Sequence, residues 1–132
     1  MSKIDSELAS GAQKDWASQP LSGLFWWCAP IAIGLSTSPL GLSTRVAALV
    51  WAVSFVWMAT GCVLNARRSH RLHCYVSGPL FLLGAIAVGL LAAGLTIFGP
   101  HALNNIVGIT FVLVLLSFIP EIIGDRYART KP

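Results

Sequence analysis

Residues 46–65, VAALVWAVSFVWMATGCVLN, contain no charged side chain. An α-helix of ~20 predominantly apolar residues matches the hydrocarbon core of a bilayer, where only helices and closed barrels satisfy their own backbone polar groups. This run is not alone. Residues 78–98 are equally free of charge, and residues 103–120 form a further apolar stretch, entered at Asn104 and Asn105 and closed by Pro120. Residues 22–42 are also uncharged, but Pro30, Pro39 and a Ser-Thr-Ser patch interrupt them. That stretch is expected to be kinked or re-entrant if it does not span. The expected fold is all-α: an integral membrane bundle of four transmembrane helices over residues 21–124. It is flanked by a polar tail at 1–20 and a basic tail at 125–132.

Composition agrees with the patterning. Charged residues make up 11% of the chain, against ~25% in a typical soluble domain, and mean hydropathy is +0.73. The formal charge of +4 would suggest nucleic acid in a soluble protein, but here Lys and Arg cluster at the ends of apolar runs. They predict orientation, and no nucleic-acid partner is expected. Positive residues in short loops stay in the cytoplasm. Arg67, Arg68 and Arg71 therefore place the loop between the second and third runs inside, together with the tail bearing Arg126, Arg129 and Lys131. The expected location is the bacterial inner membrane, multi-pass, with both termini cytoplasmic. Arg67, Arg68 and Arg71 also suit anionic lipid headgroups. Residues 1–20 lack the plan of a cleavable signal peptide and are expected to be a frayed tail, with Ile4, Leu8 and Trp16 offering one amphipathic turn.

In the third run Ala85, Gly89 and Ala93 recur every fourth residue and present a small-residue face for a neighbouring span, a second copy or a larger membrane complex. Trp26, Trp27, Tyr75 and Tyr127 suit interfacial anchoring, while Trp51 and Trp57 suit packing within the second run. Ser77-Gly78-Pro79 predicts a break before the third run, with Pro79 in a first helical turn.

The stretch NARRSHRLHCY, residues 65–75, holds the chain's densest concentration of functional groups. A short connection makes its flanking helices antiparallel neighbours, so Cys62 and Cys74 come to one depth with His70 and His73 close by. Thiolates and imidazoles together suit a soft or heavy metal ion such as Hg or Cu, as substrate more than resident cofactor. The spacing matches no zinc module, and flanking arginines would repel a cation. The competing reading is that the cysteines are small hydrophobes and the histidines merely enrich a basic loop. Cys28 suits an apolar filler or a deeper relay ligand, and a structural disulfide is not expected.

Residues 61–84, GCVLNARRSHRLHCYVSGPLFLLG, resemble a signature of small four-span bacterial inner-membrane proteins, approximately G-C-x-x-N-A-R-R-C-G-R-x-H-C-Y-x-[ST]-G-P. The resemblance implies a thiol-rich cytoplasmic loop and an association with mercury resistance. Ser69 and His70 stand where that pattern has Cys-Gly, so Cys62, His73 and Cys74 are the implied ligands that remain.

Glu121 and Asp125 are one helical turn apart. They are expected at headgroup level, paired with Arg126, Arg129, Arg67 or Arg68, with a proton or cation relay as the alternative. No phosphate loop, hydrolase triad, metalloprotease helix or dinucleotide fingerprint is present, and an enzyme is not expected. Two functions follow: handling of a soft metal ion by Cys62, Cys74, His73 and His70, or service as a non-catalytic accessory subunit of a larger membrane complex.

Overall fold

The computed structural model describes Lys3, Asp5, Ser6, Ala9, Asp15, Trp16, residues 19–95, Gly99 and residues 101–124. Among the described residues the regular elements are helical and there is no strand: α1 (Pro20–Ser36), α2 (Thr44–Ser69), α3 (Leu72–Ala92), α4 (Ala102–Leu116) and the short α5 (Ile119–Ile123). Three stretches are long and apolar enough to cross a membrane: α2, α3 and the continuous Ala102–Ile123 segment. The fourth apolar helix, α1, is shorter.

Local chemistry sets the length of α1. It starts with Pro20 at a first-turn position, where no amide bond is lost, and widens into a π turn over Leu24–Cys28. The Ala29 amide there reaches back to the Leu24 carbonyl, immediately before Pro30, which has no N–H to give. The helix stops at Ser36 instead of running on to residue 42. The Ser36 and Thr37 hydroxyls donate to the carbonyls of Ile33 and Gly34, offering the backbone an alternative to another helical turn. Gly41, at φ 61°, then completes the turn in the left-handed region.

The connection between α2 and α3 differs most from expectation. Ser43 caps α2 by accepting from the Val46 amide, and the helix continues past the apolar run through Asn65, Arg67 and Arg68 to Ser69. His70 ends it in the left-handed conformation (φ 55°), and α3 is already under way at Leu72. The stretch 65–75 is therefore two helix ends joined by His70 and Arg71, and not an extended loop. Pro79 lies inside α3 instead of opening it. No break occurs at Ser77-Gly78-Pro79, because α3 has already been nucleated by the residues before it.

α2 and α3 form the main interface of the bundle, with α1 against α2 and α4 against α3. The Phe55 ring stands at its centre, 5.5 Å from Trp51, 5.9 Å from Phe81 and 5.8 Å from Phe111. Close approach depends on Gly84: a Cβ there would lie 2.8 Å from Thr110 Oγ1 and 3.2 Å from Phe55. The proposed face of Ala85, Gly89 and Ala93 is not uniform. Ala85 is buried in the core, Gly89 faces open space and Ala93 is exposed at the end of α3. Large exposed side chains such as Leu83, Ile86, Ile109 and Leu115 clothe the outside of the helices, as suits an apolar solvent.

Candidate functional site

Helical periodicity builds the site. Cys62, Asn65 and Ser69 fall three and four residues apart on α2, and His73 and Cys74 precede Ser77 by four and three residues on α3, so two polar faces meet where the helices join. All six are buried. Cys62 and Cys74, each 1% exposed and free of any disulfide, share one buried cluster, and Ser77, one turn beyond Cys74 on α3, reaches Cys62 Sγ across the helix joint.

Each sulfur has further partners. Trp27 Nε1 and Ser77 Oγ donate to Cys62 Sγ, both at 3.4 Å. Asn65 Nδ2 donates to Cys74 Sγ at 3.4 Å, and His73 Nε2 lies 3.3 Å from the same sulfur. On its other side, the His73 ring has Nδ1 2.7 Å from Glu121 Oε1, and the His73 backbone amide donates to that oxygen at 2.9 Å. A carboxylate accepts, so in the neutral ring Nδ1 carries the proton and Nε2 presents a lone pair to the Cys74 thiol. Phe118 stacks on the imidazole at 4.1 Å and holds its plane.

A second layer of charge closes the cluster. Arg71 donates through NH1 to Asp15 Oδ2 at 2.6 Å and through Nε to Glu121 Oε2 at 3.3 Å. Burial works against the arginine charge, but the two carboxylates outweigh it and raise its pKa above the ordinary value. Asn65 carries the connection inward: Nδ2 donates to Asp15 Oδ1 at 2.8 Å as well as to Cys74, and Oδ1 accepts from the Trp16 amide at 2.8 Å. The Trp16 ring stacks on Trp26 at 5.6 Å with Arg68 4.6 Å above it. Among the described residues no buried side-chain nitrogen or oxygen lacks a partner.

Several expectations are revised by this geometry. Asp15 is fully buried and Trp16 is docked, so this part of the N-terminal segment is not frayed; Ile4 and Leu8 lie outside the described residues. Glu121 is 7% exposed and pairs with Arg71 and His73 instead of Arg67 or Arg68. The reason is α5, which carries Glu121 back against the start of α3. Asp125, Arg126, Tyr127, Arg129 and Lys131 lie outside the described residues. Arg67 and Arg68 are exposed, whereas Arg71 points inward to its carboxylates.

The candidate ligands divide in the same way. Cys62, Cys74 and His73 come together. His70 is exposed, with Nδ1 3.1 Å from the Tyr75 hydroxyl, and serves as the turn residue. Cys28 is exposed. Trp27 reaches Cys62 through its indole N–H. Among the described residues no group of three or more His, Cys, Asp and Glu side chains is arranged to hold a metal ion. Asp15, Asn65 and Ser77 were not expected as site residues from the sequence; the helical spacing of Cys62, Asn65 and Ser69 was the signal available. No protein-family model, curated protein or solved structure matches the chain.

Proposed function

We propose that this chain is a small inner-membrane protein of bacterial type that handles a soft metal ion, Cu(I) or Hg(II), as cargo on the thiols of Cys62 and Cys74. The single observation that carries the reading is the burial of both thiols in one cluster at the helix joint, with His73 Nε2 3.3 Å from the Cys74 sulfur. Soft ions prefer thiolates, and such ions accept two-thiolate coordination, so a pair suffices where a harder ion would need a fuller set. Charge does not oppose the cation: Asp15 and Glu121 neutralise Arg71, while Arg67 and Arg68 face outward. His70 has no part in this ligand set. In this reading α1 is a fourth span near the short limit of bilayer-crossing length. The arginine-bearing end, with both termini, is cytoplasmic by the distribution of positive charge.

The test is stoichiometric binding of Cu(I) and Hg(II) by detergent-purified protein, compared with the Cys62→Ser/Cys74→Ser double variant. Binding of one ion per chain that the variant loses supports the reading. Equal weak binding by both proteins sinks it. The open surface around Gly89 favours a second reading, an accessory subunit of a larger membrane complex or a homo-oligomer. Gly89→Leu would then disrupt assembly while leaving metal binding intact.

A further inference from the structure

We propose that Cys62 and Cys74 are also a redox-active dithiol, which exchanges with a low-molecular-weight disulfide and uses His73 as the base that frees the Cys74 thiolate. This goes beyond metal handling: it rests on the same sulfur pair but needs no metal to be bound.

The pieces have distinct positions. Cys74 Sγ faces a histidine nitrogen whose ring is oriented from behind by a carboxylate, the order nucleophile, base, positioning group. Glu121 is itself fixed by the His73 amide and by Arg71, so the imidazole presents one tautomer to the sulfur. Cys62 lies in the same buried cluster as Cys74 and accepts from Ser77 and Trp27, with no histidine among those partners. That asymmetry assigns Cys74 the first attack and Cys62 the second. The third cysteine, Cys28, is exposed and outside the cluster.

The exchange balances as follows. His73 Nε2 takes the Cys74 proton, and the thiolate attacks one sulfur of the external disulfide, forming a mixed disulfide and expelling a thiolate that recovers the proton. The Cys62 sulfur, losing its own proton, then attacks Cys74 Sγ and expels the second thiolate, which takes up that proton. Two protein thiols are oxidised to one disulfide, and one external disulfide is reduced to two thiols. Both cysteines are buried, and Asn65 ties Cys74 to Asp15 and Trp16. The external partner therefore reaches Cys74 only when the packing around the thiol opens.

The experiment uses full-length protein carrying Cys28→Ser, equilibrated without oxygen in mixtures of reduced and oxidised dithiothreitol. Acid quenching, maleimide tagging and intact-mass measurement then count free thiols. The expected result is that both thiols disappear together as the buffer becomes more oxidising, and that proteolysis yields one peptide pair linked through Cys62 and Cys74. Two thiols that stay alkylatable in fully oxidised dithiothreitol, or that are lost without the linked pair, overturn the proposal. Cys62→Ser in the same background should trap the mixed disulfide on Cys74 when oxidised glutathione is added; absence of the adduct overturns the order of attack. His73→Gln should slow adduct formation at pH 7 about tenfold and make its rate depend more steeply on pH than the parent's, because hydroxide must then remove the proton. Glu121→Gln should give a smaller slowing with the same linked end product. Unchanged rate and pH profile in both variants remove the base from the mechanism.

Discussion

The two ends of α3 are built in opposite ways. At the Leu72 end, His73, Cys74 and Ser77 are buried, and each is bonded to a group on α2, α5 or α3 itself. At the Ala92 end the described residues make a small apolar contact among Ala48, Leu91 and Ala102, beside Gly89, where a Cβ would meet nothing within 4 Å. Directional bonds among buried groups leave little freedom in how α2, α3 and α5 meet, because each displaced partner strands a polar group away from water. Apolar contacts between small side chains impose no such register. The polar end is thus where the arrangement is specified, and the small-residue end is where it stays open to a further partner.

Removing the polar end's central acceptor should break this comparison most severely. Glu121 receives bonds from the His73 amide, His73 Nδ1 and Arg71 Nε. Glu121→Ala leaves the inward arginine with Asp15 as its remaining carboxylate and is expected to cost ~3–5 kcal/mol, the range for breaking a buried pair. Thermal unfolding in detergent, followed by circular dichroism, measures it. An unchanged midpoint would mean that the cluster is not what fixes the helices. Asn65→Ala comes next, at ~1–3 kcal/mol, because one side chain serves Trp16, Asp15 and Cys74. Limited proteolysis of the variant should in addition cut near residue 16 faster than in the parent.

Between the two ends lies the packing that depends on Gly84. Its absent Cβ would sit 2.8 Å from Thr110 Oγ1, a β-branched side chain with little freedom to move. Gly84→Ala is expected to destabilise by ~1–3 kcal/mol through overpacking, despite the better helix propensity of alanine. A neutral result would show that α4 shifts readily on α3. That outcome would extend the loosely specified region from the Ala92 end to the middle of the bundle.

How much of this was legible in the sequence follows from the range of the forces involved. Absence of charge over residues 46–65 and 78–98 foretold two apolar helices, because the bilayer criterion is local and additive, although the second of them runs over Leu72–Ala92. The same reasoning put Cys62, Cys74 and His73 near one another, since a short connection leaves adjacent helices little choice. It misjudged the connection itself. Arg67 and Arg68 read as loop because they are charged, yet a helix end with its flank in a polar region carries them easily, and the turn needed only His70 and Arg71. Long-range partners were not legible. Asp15 and Glu121 meet Arg71 from opposite ends of the chain, across separations of 56 and 50 residues, and no local pattern encodes that meeting. The face of Ala85, Gly89 and Ala93 was correctly seen as small, but periodicity alone does not say which neighbour each residue meets: Ala85 faces the core and Gly89 faces outward.

Gly89 therefore provides the smallest effect and the sharpest discrimination. It lies inside α3 with open space where a Cβ would stand. Gly89→Ala should stabilise the isolated chain by ~0.5–1 kcal/mol, since alanine loses less backbone entropy than glycine in a helix and meets no obstruction. Gly89→Leu should likewise leave the fold of a single chain intact, in contrast to Gly84→Ala. The two substitutions separate the fold from any assembly built on it. If a second copy or another subunit packs on this face, Gly89→Leu lowers the mass of the complex seen by light scattering in detergent while the unfolding midpoint of the chain is unchanged. If mass and midpoint both stay the same, the face meets only lipid, and the accessory-subunit reading loses the observation that favours it. If the midpoint falls, Gly89 is in contact within the chain itself, and the contrast between the specified and the open end of α3 no longer holds.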